Sequence, residues 1–129
     1  MLEGTLDLSR FLVHRFRKAE VLATDAARWV PVLRVLLDYE KARGLVGSIG
    51  FFFDDGSSAG LILRNQVAVP TAADAAAIQW RLSKNAWADL LANKSSLSQA
   101  LADEPGLEGG TMDEVRALLG CFELDSFQR

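Results

Sequence analysis

The sequence is poor in the side chains that disulfide bonding, metal binding and catalysis most often use. Its 129 residues include one cysteine, Cys121, and one histidine, His14. A single cysteine cannot form an internal disulfide, and a single histidine leaves a metal site or a catalytic triad without its usual partners. Cys121 lies between Leu118-Leu119 and Phe122, so we expect a buried, inert thiol and a reducing compartment. We therefore predict no catalytic residue, no metal and no cofactor.

Long hydrophobic runs and an excess of basic residues are also missing. The longest apolar stretches fall far short of the roughly 20 residues that a membrane-spanning helix needs. The N-terminus, Met1–Gly4, lacks the basic segment and the apolar segment of a signal peptide. The net charge of -3 gives no general attraction to nucleic acid phosphates. We expect a cytoplasmic protein with no integral membrane segment and no nucleic acid partner.

The composition that remains is typical of one folded domain, since 50% of the residues are hydrophobic and 24% are charged. Residues 1–22 are predicted to form a separate N-terminal amphipathic helix, over about Leu6 to Glu20. Its apolar face carries Leu8, Phe11 and Phe16, and basic residues lie opposite. That face would pack on the core of the chain or on a partner subunit, and the second alternative gives a homodimer. The domain proper is expected over 23–129.

After a short turn at 25–29, the pattern predicts a helix with Pro31 in its first turn and Gly44 as its stop signal. This helix is apolar over much of its circumference, so we expect it to be well buried. Further along, Ser83 and either Ser95 or Ser96 are candidate helix caps.

The last part of the chain predicts a short edge strand and a final helix. The edge strand is expected at Leu107–Gly109. Thr111 and Glu114 have the spacing of a capping box, and the apolar stripe behind them extends to Phe122.

From Gly47 the apolar residues recur at every second position, which is the spacing of a strand. Three closely connected strands and a fourth after a short loop predict an antiparallel meander of about four to five strands. Its apolar face must be covered by helices, so the predicted fold class is α+β. The predicted strands contain Ile49–Phe53, Leu61–Arg64, Val67–Val69 and Ile78–Leu82.

Several polar groups invite a catalytic or metal-binding interpretation that their spacing does not support. Asp54 and Asp55 stand in an Asp-Asp-Gly-Ser segment that is typical of a hairpin turn. Ser57 has no histidine partner in the sequence, and the acidic residues at 103–108 lack the spacing of a calcium loop.

The order of these segments resembles the C-terminal domain of bacterial alkyl sulfatases, which has the sterol carrier protein 2 fold. The resemblance covers about residues 24–129. It is carried by the segments Leu37–Ala42, Ile49–Asp55, Leu61–Asn65 and Leu107–Gly109, and by the tail Phe122–Phe127. Two departures stand out: Gln66 replaces the glycine that usually follows Arg-Asn, and the catalytic domain that normally precedes this domain is not in the sequence.

The resemblance implies an apolar tunnel between the sheet and the helices that holds an aliphatic or lipid-like molecule. Few side chains of a close-packed interior border a cavity, so at any single position an ordinary core residue is the favoured interpretation. The candidate lining residues are the apolar side chains predicted to face that space: Phe51, Phe53, Leu61, Leu63, Trp80, Trp87, Leu90, Leu91, Leu101 and Leu119. A non-catalytic binding module is therefore the first hypothesis. The alternatives are a dimerisation domain with a filled tunnel, and an accessory subunit for a separate catalytic chain.

Overall fold

The computed structural model describes residues 18–92 and 94–122. Within these ranges a five-stranded sheet carries helices, which confirms the predicted α+β class. The strands are β1 (Gly47–Phe53), β2 (Ser58–Arg64), β3 (Val67–Thr71), β4 (Ile78–Leu82) and β5 (Gly106–Glu108). The α-helices are α1 (Lys18–Leu22), α2 (Tyr39–Ala42), α3 (Lys84–Leu91), α4 (Leu97–Asp103) and α5 (Met112–Gly120). Three 3₁₀ helices cover Ala26–Trp29, Pro31–Leu36 and Ala73–Ala75.

The alternation predicted for the strands separates a buried inner face from an outer face. On β1, Ile49, Phe51 and Phe53 are buried against the helices, whereas Ser48 and Phe52 are only half-buried. On β2 the inner side chains are Leu61 and Leu63, and on β4 they are Ile78, Trp80 and Leu82. The hydrophobic core therefore lies between the inner face of the sheet and the helices.

The strand order is β3-β2-β1-β4-β5, and this corrects the predicted meander. The first three strands are antiparallel neighbours as expected, but β4 lies beside β1 and runs parallel to it. Thr71, Gly60, Gly50 and Gln79 stand in one row across the sheet. The connection from β3 to β4 therefore moves sideways by three strand spacings, roughly 14 Å, a distance that the residues 72–77 can span.

This connection passes over the outer face of the sheet, and glycine makes room for it. A Cβ atom at Gly50 would lie 2.2 Å from the backbone oxygen of Ala73, and one at Gly60 would lie 3.1 Å from the oxygen of Ala72. The Ser48 hydroxyl accepts a hydrogen bond from the Ala77 amide at 2.7 Å. Gly50 is therefore required by the crossing and not by a turn.

The later helices begin where the sequence predicts. Ser83 accepts the Ala86 amide and Ser96 accepts the Gln99 amide, each at 3.0 Å. At the start of α5, Thr111 and Glu114 form the predicted capping box through reciprocal hydrogen bonds of 3.2 and 2.8 Å. The edge strand predicted near Leu107 is β5, which pairs with β4.

The single helix predicted after Pro31 is wrong, because the chain breaks it at Leu37 and Asp38. A 3₁₀ helix ends at Leu36, and Asp38 caps the separate helix α2 by accepting the amides of Glu40 and Lys41. The Asp38 amide also donates to the Cys121 oxygen at 2.7 Å, which ties the break to the end of α5. In the segment predicted as one helix, the side chains of Val35 and Tyr39 are 57% and 65% exposed, so this segment is less buried than predicted.

The turn between β2 and β3 places both Asn65 and Gln66 at positive φ, 53° and 63°. Glycine is the usual residue at such positions. The side-chain amide of Gln66 donates a hydrogen bond to the backbone oxygen of Tyr39 at 2.8 Å.

Most of the predicted N-terminal helix lies outside the described residues, and so does most of the tail Phe122–Phe127. The described end of the N-terminal helix is α1. Its residue Val21 is buried in the hydrophobic core, and Lys18 forms an ion pair with Asp89 at 2.9 Å.

Candidate functional site

An aromatic cluster occupies the middle of the sheet–helix interface. The Trp87 ring lies 5.0 Å from that of Phe51 and 5.3 Å from that of Phe53, and Trp80 lies 6.0 Å from Phe51. The indole N–H of Trp80 donates to the backbone oxygen of Glu104 at 2.7 Å. The indole N–H of Trp87 donates to the backbone oxygen of Ala26 at 3.1 Å. These directed hydrogen bonds fix both indoles in the core.

All ten side chains that were predicted to line a tunnel are buried in the structure. Phe51, Trp80, Trp87 and their neighbours pack against one another in the core. Three of the ten border an inner space beneath α5, namely Leu61, Leu63 and Leu119. A fourth, Phe53, borders an open cleft at the surface.

This inner space is small and apolar. Its volume is about 10 Å³, close to what one water molecule needs, and no polar surface faces it. It is lined by Gly47, Ser48, Ile49, Leu61, Leu63, Leu118, Leu119 and Phe122.

A larger cleft opens to solvent directly outside it, and we call it the α5 cleft. Its volume is about 310 Å³. It is lined by Leu45, Val46, Gly47, Ser48, Ala77, Ile78, Gly109, Glu114, Ala117 and Leu118. Val46, one of these lining residues, is 77% exposed.

Gly47 and Leu118 separate the cleft from the inner space, because both residues line both. A Cβ atom at Gly47 would lie 2.9 Å from Cδ2 of Leu118, so the leucine packs directly on the strand backbone. Leu118 therefore lies between the two volumes.

One charged residue, Glu114, is found among the ten described residues that line the α5 cleft. Its carboxylate accepts the Thr111 amide in the capping box. Ser48 contributes a hydroxyl that is already bonded to the Ala77 amide. The cleft therefore offers an apolar wall with one fixed anion at its edge.

Sequence reasoning missed most of this lining. Leu118 belongs to the apolar stripe predicted for α5, but that pattern does not distinguish it from an ordinary core residue. Val46, Gly47 and Ala77 lie in or next to loops, and Ala77 reaches β1 only because the connection crosses the sheet. A glycine at the start of a strand was the one local signal of a close approach.

The two aspartates of the β1–β2 turn act as caps. Asp54 accepts the Lys84 amide at 2.8 Å, and Asp55 accepts the Ala26 amide at 2.9 Å. Partial burial of Asp55 acts to raise its pKa, but this effect is outweighed by hydrogen bonds from the Ser57 hydroxyl and from the Ala26 and Ser57 amides, with the Lys84 ammonium adding to them. The pKa consequently falls from 3.8 to about 2. An ionised carboxylate held in this way is suited to structure and not to proton transfer at neutral pH.

Neither a reactive thiol nor a metal-binding cluster is found in the part of the chain that the structure describes. Cys121 is buried, as predicted, and burial raises its pKa from 9.0 to about 11. Within 18–92 and 94–122, no three histidine, cysteine or acidic side chains are grouped to hold a metal ion. Over the same ranges, no helix is long and apolar enough to cross a membrane.

Two other clefts lie on the surface. One, of about 410 Å³, is bordered by Phe52, Arg81 and Glu104, and the Arg81 guanidinium lies 4.9 Å from the centre of the Phe52 ring. The other, of about 350 Å³, is bordered by the exposed Val35, Tyr39 and Val67. Neither reaches the inner face of the sheet below α5.

The chain resembles part of a known enzyme in structure. It matches the stereoselective inverting sec-alkylsulfatase Pisa1 from Pseudomonas sp. with a TM-score of 0.62 and 23% sequence identity, over 77% of this chain. A double mutant of the same sulfatase matches with a TM-score of 0.61 and 23% identity, over 72% of this chain. The resemblance to an alkyl sulfatase is thereby confirmed at the level of the fold.

The chain spans only 16% and 15% of the lengths of those two sulfatase chains. The match therefore concerns one segment of the enzyme, and the sulfatase activity is not carried over with it. No family model matches the sequence, and no curated protein matches it.

Proposed function

We propose that this domain binds an aliphatic chain in the α5 cleft, with the inner space beneath α5 as its deep end. The observation that carries this proposal is that the two volumes adjoin, since Gly47, Ser48 and Leu118 line both. The chain itself performs no chemistry on the ligand. This function is compatible with the fold shared with a segment of an alkylsulfatase.

The size and lining of the cleft support an aliphatic ligand. Its volume of about 310 Å³ is at the lower end of the range for small-molecule sites, roughly 300 to 1,000 Å³. Leu45, Val46 and Ile78 give it apolar walls. Burying a methylene group from water contributes about 0.8 kcal/mol, so a short alkyl chain would bind measurably.

The packed aromatic core limits how deep such a ligand reaches. Phe51, Trp80 and Trp87 fill the centre of the interface, and both indoles are held by hydrogen bonds. The proposed site therefore occupies one end of the interface and not its full length. Of the ten side chains nominated from the sequence, Leu61, Leu63 and Leu119 are the ones proposed to contact the ligand.

The test is titration calorimetry with 1-decanol on the wild type and on Ala117→Trp. Ala117 is exposed and lines the cleft, so an indole there would fill the cleft with little cost to folding. We expect the variant to lose at least about tenfold in affinity, which corresponds to roughly 1.4 kcal/mol. The matched control is Ala102→Trp, because Ala102 is an exposed helical alanine outside the cleft. Absence of binding by the wild type, or equal binding by all three proteins, would refute the proposal.

A second candidate function is that of an interaction domain, and the exposed groove bordered by Val35, Tyr39 and Val67 favours it. Three large apolar side chains exposed at one groove are typical of a protein contact site. Light scattering tests this alternative: the wild type is expected as a dimer and Val35→Asp as a monomer. A monomeric wild type at high concentration would exclude a homodimer through this groove.

A homodimer through the N-terminal helix stays a prediction, because residues 1–17 lie outside the described residues. Deletion of 1–17 keeps α1 and its buried Val21 in place. If the N-terminal helix forms the dimer, this deletion lowers the mass measured by light scattering from that of a dimer to that of a monomer. An accessory role beside a separate catalytic chain is the remaining proposal for the partner.

A further inference from the structure

We infer that the α5 cleft selects aliphatic molecules with a neutral or cationic head group and disfavours alkyl sulfates and fatty acids. This inference deepens the proposed function and rests on it. It concerns the chemical class of the ligand at the same site.

The charges among the lining residues of the cleft are of one sign. Among its ten described lining residues, Glu114 is charged and no lysine or arginine is present. The Glu114 Oε1 atom accepts the Thr111 amide at 2.8 Å, so the carboxylate is held in the capping box at the start of α5. An anionic head group placed in this cleft would meet a like charge and no compensating cation.

The basic residues closest in sequence to the lining are already paired with acidic ones. The Arg116 guanidinium, next to Ala117, forms an ion pair with Asp113 on the same helix. Arg43, two residues before Leu45, pairs with Glu40 at 3.1 Å. Each of these pairs is neutral as a unit, so neither offers a free positive charge to a sulfate or a carboxylate.

The polar groups that remain fit a hydroxyl or an ammonium head group. Glu114 has a second carboxylate oxygen, and a carboxylate accepts hydrogen bonds from both kinds of head group. The Ser48 hydroxyl, which accepts the Ala77 amide, belongs to a second polar residue of the lining. A long-chain alcohol satisfies these groups without a charge, and an alkylammonium adds attraction to Glu114.

The experiment compares decyl sulfate, 1-decanol and decylammonium, with both charged ligands below their micelle concentrations, by titration calorimetry at low salt. The wild type is expected to bind the cation and the alcohol at least about threefold more tightly than the sulfate, as expected for one partly exposed charge. The variant is Glu114→Gln, because glutamine preserves the capping box. It should bind the sulfate roughly two- to fivefold more tightly than the wild type does, with decanol unchanged.

The outcomes separate this inference from the proposed function. Absence of decanol binding would refute the proposed function itself. Equal or tighter binding of the sulfate by the wild type, with decanol bound, would overturn only the selection inferred here. A Glu114→Gln variant that unfolds at the same denaturant concentration as the wild type but binds all three ligands unchanged would also overturn it. Added salt should reduce the difference between the cation and the sulfate.

Discussion

At the residue scale, a tight steric constraint lies at Gly50, where the chain crosses the outer face of the sheet. The Ala73 carbonyl occupies the place that a side chain would need, and the contact is with backbone atoms that cannot rotate away. Any residue other than glycine would push the connection between β3 and β4 off the sheet. The Ser48–Ala77 hydrogen bond would then lengthen or break as well.

We therefore predict that Gly50→Ala lowers the free energy of unfolding by at least about 2 kcal/mol. Urea denaturation followed by tryptophan fluorescence measures this change. Gly120→Ala is the control, since a Cβ at this helical position meets nothing within 4 Å. That variant is expected to keep the wild-type stability or to gain up to about 1 kcal/mol, since alanine favours a helix. Equal stability of the two variants would contradict the crossing described above.

Asp55 gives the fold a dependence on pH. Its pKa in the folded protein is about 2, below the ordinary value of 3.8, so folding favours the ionised form. Its contribution to stability is therefore complete above the unfolded-state pKa and is lost as the pH falls through 3.8 toward about 2.

We predict that Asp55→Asn is less stable than the wild type by about 1 kcal/mol at neutral pH. The difference should shrink as the pH falls from about 5 to about 2, because protonation then removes the charge from the wild type too. Asp74→Asn serves as the control at an exposed carboxylate outside this turn. A difference between Asp55→Asn and wild type that stays constant over this pH range would show that the charge of Asp55 does not act as described.

At the scale of secondary structure, the sequence predicts beginnings and alternation better than breaks. The caps at Ser83 and Thr111 depend on side chains within three residues, so local patterns identify them. The break at Asp38 depends on the Cys121 carbonyl, which comes from the other end of the chain. No local pattern around Pro31 contains that information.

The position of Leu118 between the α5 cleft and the inner space leads to a prediction about the length of the alkyl chain that binds. Leu118→Ala should join the α5 cleft to the inner space, at a cost of about 2 to 4 kcal/mol in stability. The affinity for primary alcohols should then keep rising, by about fourfold per added methylene, beyond the length at which the wild type reaches its limit.

Titration of a series from hexanol to dodecanol measures this limit in each protein. Leu90→Ala is the matched control, because Leu90 is equally buried but borders neither volume. Its length limit is expected to equal that of the wild type. The same limit in all three proteins would show that Leu118 does not separate the two volumes.

At the scale of the whole molecule, composition and alternation predict the α+β class, but not the position of β4. A strand that follows its neighbour after a short loop usually pairs with it, and this rule gave the meander. Here β4 begins at the level where β3 ends, so the short connection 72–77 suffices to cross two strands. The paired glycines Gly50 and Gly60 permit this crossing. The sequence does not show that they are paired, because that depends on the register between β1 and β2.

The site is less predictable than the fold, for a related reason. An apolar stripe is the same in sequence whether it borders a cavity or a packed interior. Phe51 and Trp87 pack tightly, whereas Leu61 and Leu119 of the same core border the inner space. Leu118 of α5 packs on the backbone of β1 at Gly47 beside that space, and this contact joins residues far apart in the sequence.

The most direct test of an aliphatic site in the α5 cleft is an NMR titration of the whole chain with 1-decanol. Saturable changes in amide and methyl chemical shifts are predicted at Val46–Ser48, Ala77–Ile78 and Ala117–Leu118. The aromatic cluster around Trp87 should change little. Changes confined to the groove bordered by Val35 and Tyr39, or no saturable change at all, would contradict the proposed site.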